Sequence, residues 1–146
     1  MRESREGCAV IAHKDFIYIF GGVGTKTVES YDTKKNTWKA MPNMEHHRHG
    51  HSAIAIKDEV FILGVQNDKN TFVSSMAVFD LESDKWKEVD DESNLPIALS
   101  DLAAVRFHKW IVVIGGMKSD KSNDVNEEIF VYDTEHSNWQ QVNKFQ

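Results

Sequence analysis

Phe16-Ile17-Tyr18-Ile19-Phe20-Gly21-Gly22 opens the stretch that decides the fold. A polar gap follows it, then Tyr31-Asp32 and, seven residues after the tyrosine, Trp38. The same order of landmarks returns twice. Val60-Phe61-Ile62-Leu63 runs into Gly64-Val65, and Phe79-Asp80 precedes Trp86. Trp110-Ile111-Val112-Val113-Ile114 runs into Gly115-Gly116, and Tyr132-Asp133 precedes Trp139. The aromatic-to-tryptophan interval is constant while the gap after the glycines varies, as expected of a repeat with one elastic loop.

Working outward from each apolar run, a second run lies just before it. Cys8-Ala9-Val10-Ile11-Ala12, His51 to Ile56 and Leu102-Ala103-Ala104-Val105 are each separated from the next run by a few polar residues, which reads as a β-hairpin. These first runs are rich in small side chains, suited to strands converging on a crowded centre. The second runs do not alternate polar with apolar, so they are expected to be covered on both faces. Beyond the glycines, Val28-Glu29-Ser30-Tyr31 and Thr37-Trp38-Lys39-Ala40 form another hairpin. Its link begins at Asp32 and ends at Asn36, residues that bond their own backbone and tolerate turn dihedrals. Asp80 to Asp84 and Asp133 to Asn138 repeat that link. Each unit therefore holds four antiparallel strands.

The tryptophans lie 48 residues apart (38 to 86) and then 53 apart (86 to 139). That period, with glycine doublets and no Trp-Asp pair, favours the kelch type over the shorter WD type. Phe20-Gly21-Gly22, Tyr31-Asp32 and Asn36-Thr37-Trp38 in copy one, and Ile114-Gly115-Gly116, Tyr132-Asp133 and Ser137-Asn138-Trp139 in copy three, resemble kelch repeats. The resemblance implies an all-β chain, a partial β-propeller of three four-stranded antiparallel blades. These would be part of a six-bladed ring: linker 1–6, blade one 7–41, blade two 42–95 and blade three 96–146. Copy two departs from the pattern at Val65, where a less sharp turn is expected.

The repeated residues read as structural. Gly21, Gly22, Gly64, Gly115 and Gly116 are expected to allow positive φ and close approach by an aromatic ring. Tyr31, Phe79 and Tyr132 with Trp38, Trp86 and Trp139 are expected to fill the wedges between neighbouring sheets. Catalytic residues would not normally recur once per repeat.

Function is expected at the loops. In such a sheet the connection between strands two and three and the connection to the next blade share one end, and here those segments are long and irregular. Asn67 and Lys118 lie in two of them. His46 and His47 lie in the linker between copies one and two. Arg5 and Arg48 each stand sixteen residues before a motif glycine, Gly21 and Gly64, with Leu99 at the matching place in copy three. In BTB-kelch adaptors an arginine just before the first strand often lines the substrate face, which the resemblance carries to Arg5 and Arg48. They would grip an acidic peptide, or else stand as solvated charges beside Glu3, Glu6 or Glu45. His47, His49 and His51 alternate along the linker, but no Cys or carboxylate completes a metal set, so neither metal nor cofactor is expected.

A formal net charge of −6 argues against a sequence-independent grip on nucleic acid or on an anionic membrane surface. No apolar run approaches a membrane span. One cysteine, Cys8, fits a reducing, cytoplasmic setting. The wording Tyr31-Asp32-Thr33-Lys34-Lys35-Asn36-Thr37-Trp38, with Met41-Pro42 ahead of Arg48, is most similar to animal BTB-kelch proteins. That implies a non-enzymatic interaction module recruiting substrates to a cullin RING ubiquitin ligase. An actin-binding kelch protein is the alternative within the same class. A kelch-type copper oxidase or sugar epimerase is the alternative from another, and no nucleophile paired with a base supports it. Because three blades cannot close a ring, the chain is expected either to belong to a longer protein, beginning inside an inter-blade linker, or to pair with a second copy.

Overall fold

The computed structural model describes residues 1–64, 71–119 and 124–142. Among the described residues, twelve strands form three separate antiparallel sheets of four, each in plain sequence order. Blade one holds β1 (Ala9–His13), β2 (Phe16–Gly22), β3 (Thr25–Asp32) and β4 (Thr37–Met41). Blade two holds β5 (Ser52–Ile56), β6 (Glu59–Leu63), β7 (Ala77–Asp80) and β8 (Lys85–Lys87). Blade three holds β9 (Ala103–Phe107), β10 (Trp110–Ile114), β11 (Ile129–Asp133) and β12 (Asn138–Val142). No helix among the described residues is long and apolar enough to cross a membrane.

Local chemistry explains the short turns. Between the outer strands, the Asp32 carboxylate accepts the backbone N–H groups of Lys34 and Lys35, Asp80 those of Glu82 and Ser83, and Asp133 those of Glu135 and His136. The same link ends on Asn36, Asp84 or Ser137, each at positive φ. This is the self-bonding turn that the link sequence suggested.

Each sheet has two working faces. The leading face looks back to the preceding blade and the trailing face looks on to the next. One core joins the trailing face of blade one (Ile11, Tyr18, Phe20, Val28, Met41) to the leading face of blade two (Val60, Ile62, Phe79), with Trp86 packed against it. The other joins the trailing face of blade two (Ile54, Phe61, Leu63, Met76) to the leading face of blade three (Ile111, Val113, Phe130, Tyr132). In β6 four successive residues, Val60 to Leu63, are buried, because consecutive side chains serve opposite cores.

The first strands lie side by side at the hub. A backbone relay links them there: Gly50 N–H donates to the Gly7 carbonyl (3.1 Å) and Asp101 N–H to the Gly50 carbonyl (2.8 Å). Gly7, Gly50 and Asp101 hold the same register position in the three blades, all at positive φ.

The motif aromatics behave as expected at the two closed seams. Phe79 and Trp86 meet edge to face with ring centres 4.9 Å apart and both reach Phe20. Tyr132 packs on Trp139 and Phe61. The indole N–H of Trp86 donates to the Pro42 carbonyl, and that of Trp139 to the Ser93 carbonyl, tying each blade to the preceding linker. Tyr31 and Trp38 stack on each other at 4.9 Å on the leading face of blade one, where no sheet covers them; they are half-buried and fill no wedge.

The glycine expectation needs correction. A Cβ at Gly21 would lie 2.5 Å from the Arg48 carbonyl oxygen and 2.6 Å from the Met44 methyl, and one at Gly64 would lie 2.4 Å from Leu102 and 2.8 Å from the Leu99 carbonyl. What presses on these glycines is the segment leading into the next blade, with the His51 imidazole 3.2 Å from a Cβ at Gly21, and not a motif tyrosine or tryptophan. Val65 lies outside the described residues.

Candidate protein-binding rim

The loops between second and third strands gather with the inter-blade linkers at one end of the sheets. Linker one runs from Pro42 into β5, anchored where Met44 N–H donates to the Lys26 carbonyl. Linker two carries a short 3₁₀ turn at Asp91–Ser93 and is anchored where Leu95 N–H donates to the Ser74 carbonyl. Lys26 and Ser74 are register equivalents, so both linkers leave the rim along the same path.

Between the two linkers lies a cleft of ≈ 1020 Å³. Linker one and the neighbouring β3 bring it Lys26, His46 and His47. The 87–94 segment brings it Glu88, Asp90 and Asp91, and its apolar lining includes Met44, Met76, Trp86 and Val89. Lys26, Glu45, Lys87, Glu88, Asp90 and Asp91 line the cleft and are exposed, so charges of both signs are available to a ligand, and the exposed His46 ring adds a hydrogen-bonding group. The arrangement suits an extended peptide with an apolar side chain and flanking charges.

Arg48 lines the same cleft but does not project into it. The residue is 4% exposed, and its guanidinium donates to the Ser75 carbonyl and hydroxyl, both at 2.9 Å. Burial pushes its pKa down to about 10, against the pull of Glu45, so it remains charged at neutral pH. Arg5 makes the corresponding pair of bonds, to the Thr27 carbonyl (2.9 Å) and hydroxyl (2.7 Å), and adds the Gly21 carbonyl (2.8 Å) and the buried Glu29 carboxylate (3.0 Å). Its side chain is 1% exposed. The expectation that Arg5 and Arg48 face solvent, as readers or as solvated charges, is therefore not met, although Glu3 does pair with Arg5. Both guanidiniums are spent on carbonyls freed where strands two and three part, groups that need a partner once buried.

Blade three solves the same problem differently. Its register equivalent, Leu99, is buried, and the Asn126 amide donates to the Gly115 and Glu128 carbonyls, the counterparts of the two that Arg5 Nη1 bridges in blade one. The sequence reading missed Asn126 and Glu29. A signal existed in Asn126 standing six residues before the motif Tyr132, but only the fold reveals which carbonyls it serves.

The linker histidines separate. His46 is exposed, 3.5 Å from Glu45, and His47 is half-buried. His51 is 7% exposed, and neither ring nitrogen reaches a hydrogen-bond partner among the described residues. Burial, reinforced by the nearby Arg48 charge and by His49, drives its pKa down to about 4; the Phe20 backbone opposes the shift without reaching hydrogen-bond geometry. Lys118 is an exposed rim residue whose N–H donates to the Asp124 carbonyl, away from the cleft. Asn67 lies outside the described residues. At the opposite end of blade three, Asp133, Glu135 and His136 converge closely enough to hold a cation, yet the Lys109 ammonium already lies 3.1 Å and 2.7 Å from the two carboxylates.

The comparisons with known proteins agree with this architecture. Residues 2–146 match the KLHDC2/KLHL20/DRC7 Kelch-repeats domain. Alpha-scruin of Limulus polyphemus is 28% identical over 95% of this chain and 16% of its own length, and human Kelch-like protein 11 is 25% identical over 94% of this chain and 20% of its own. The chain thus spans about a fifth or less of these relatives. A solved structure, that of YjhT, superposes on 99% of this chain and 52% of its own with a TM-score of 0.84 at 13% identity, a likeness of fold alone. Matched along nearly its whole length by that profile and built of three such blades, the chain belongs to the kelch-repeat family.

Proposed function

We propose that this chain is a non-enzymatic protein-binding module that takes an extended peptide segment of its partner into the cleft between linkers one and two. The observation that carries this reading is the cleft itself. The aromatics of blades two and three are occupied at the seams and both arginines are spent on carbonyl and hydroxyl groups beside the strand-two-to-three loops, whereas exposed Lys26, His46, Glu88, Asp90 and Asp91 surround an apolar lining with their polar groups toward solvent. Among family roles, cytoplasmic substrate recognition for a cullin RING ubiquitin ligase of the BTB-kelch type is supported by the Tyr31-to-Trp38 wording and by the match to Kelch-like protein 11.

The test is proximity crosslinking from a photoreactive residue placed at His46, with Lys26→Glu/His47→Ala as the disrupting variant and Lys118→Glu as a control elsewhere on the rim. A defined protein crosslinked by the parent and the control but lost in the disrupting variant supports the cleft. Equal capture by all three refutes it. Recovery of actin filaments would move the assignment to the cytoskeletal role, and turnover of a small molecule would contradict the non-enzymatic reading.

A further inference from the structure

We propose that two copies of this chain close head to tail into a single six-bladed ring, the trailing face of blade three in each copy seating on the leading face of blade one in the other. The molecule already makes this joint twice. At the seam after blade two, Ile54, Ile56 and Leu63 are 6%, 4% and 0% exposed. Their register equivalents in blade three, Val105, Phe107 and Ile114, are 55%, 55% and 47% exposed. The side chains are of the same kind; only the covering sheet is missing. An exposed apolar sheet face of this sort marks an interface.

The finer features of the joint are unpartnered in a complementary way. Gly21 is pressed by Met44 and Gly64 by Leu102, yet a Cβ at Gly115 would meet nothing within 4 Å. The register equivalent of Met44 in blade one is Met1, 52% exposed, a side chain positioned to fill that hole in a second copy. At the hub the relay runs from Asp101 to Gly50 to Gly7. Among the described residues the Gly7 N–H remains as a donor at one end and the Asp101 carbonyl as an acceptor at the other. Likewise Gly22 N–H donates to the Arg48 carbonyl (2.9 Å), leaving Gly116 N–H and the Arg5 carbonyl as the matching pair across the new joint. Three blades from each copy make six, within the range at which propellers close, and the two-fold arrangement leaves no open face to propagate.

The test is light scattering on a sizing column and sedimentation equilibrium of the whole chain over a concentration series. The parent is expected at twice its 16.7 kDa. Phe107→Asp removes the trailing face and Val10→Asp the leading face. Both residues are exposed in the single chain, so each variant is expected to stay folded by circular dichroism and to run as one chain. Gly115→Met fills the hole without adding charge and is expected to have the same effect. Mixing Phe107→Asp with Val10→Asp leaves one intact joint between unlike copies and is expected to restore a two-chain species. A parent that stays single at every concentration, a mixture that stays single, or open polymers of three or more copies would each overturn the proposal.

Discussion

His51 supplies a prediction that can be worked through quantitatively. Its imidazole is buried in the seam between blades one and two, against the Gly21 turn and beside the Arg48 guanidinium, with a pKa near 4 against an ordinary value of 6.5. A base whose pKa is depressed by folding takes its proton first in the unfolded chain. Stability is therefore full above pH 6.5, falls as the pH drops from 6.5 toward 4, and loses nothing further from this residue below 4. The gap of 6.5 minus 4, at 1.36 kcal/mol per pH unit, makes that loss about 3 kcal/mol, a large fraction of a typical domain's stability. His51→Leu removes the titration, and blade three already carries a buried leucine, Leu102, at this register position. Urea unfolding of parent and variant at pH 7.5, 5.5 and 4, at one fixed protein concentration, compares the two slopes. The variant is expected to be at least as stable at pH 7.5, since two buried ring nitrogens without partners are removed. It should also lack the His51 share of the acid loss. Parallel pH profiles for the two proteins would refute the reasoning.

Three further outcomes test the packing. Gly21→Ala and Gly115→Ala, each placed in the single-chain Phe107→Asp background, alter the same motif glycine, but within one chain a linker presses only on Gly21; the first is expected to lose about 3 kcal/mol or more and the second, strained there only by its positive φ, about 1 kcal/mol in the same unfolding assay. Arg5→Ala leaves the Glu29 carboxylate buried without its cation and is expected to cost about 3–5 kcal/mol. The double variant Arg5→Ala/Glu29→Ala, which places in blade one the alanine that blade two has at Ala77, should recover part of that loss in a thermal double-mutant cycle. Trp139→Phe keeps an aromatic ring on Tyr132 but deletes the bond to the Ser93 carbonyl, for an expected loss of about 1 kcal/mol plus a packing cost, read by denaturant midpoint.

What could be read directly was whatever depends on local pattern. Paired apolar runs, glycine doublets and the aspartate-led links each impose their consequence within a few residues, so four strands per unit and their antiparallel order followed from the chain alone. The constant aromatic-to-tryptophan interval identified the paired rings, two pairs of which lie at closed seams, for the same reason, because it is set by a single hairpin register. The roles of Arg5 and Arg48 were not legible. An arginine before a strand reads the same whether it points to solvent or turns inward, and only the placement of Thr27, Ser75 and Gly21 supplies the carbonyls that draw it in. The linker histidines were equally ambiguous.

The periodic sequence by itself determined that this protein is a set of kelch blades needing neighbours, since each sheet has apolar residues on two faces and cannot cover both alone. Tertiary structure decided which polar groups are consumed by that stacking and which remain for a partner. It buried both arginines and His51, opened the cleft beside His46, and left Val105, Phe107 and Ile114 uncovered while their counterparts in blade two are sealed. The physical reason is that exposure belongs to the contact between blades: side chains of like character at one register position are core or surface according to whether another sheet lies against them.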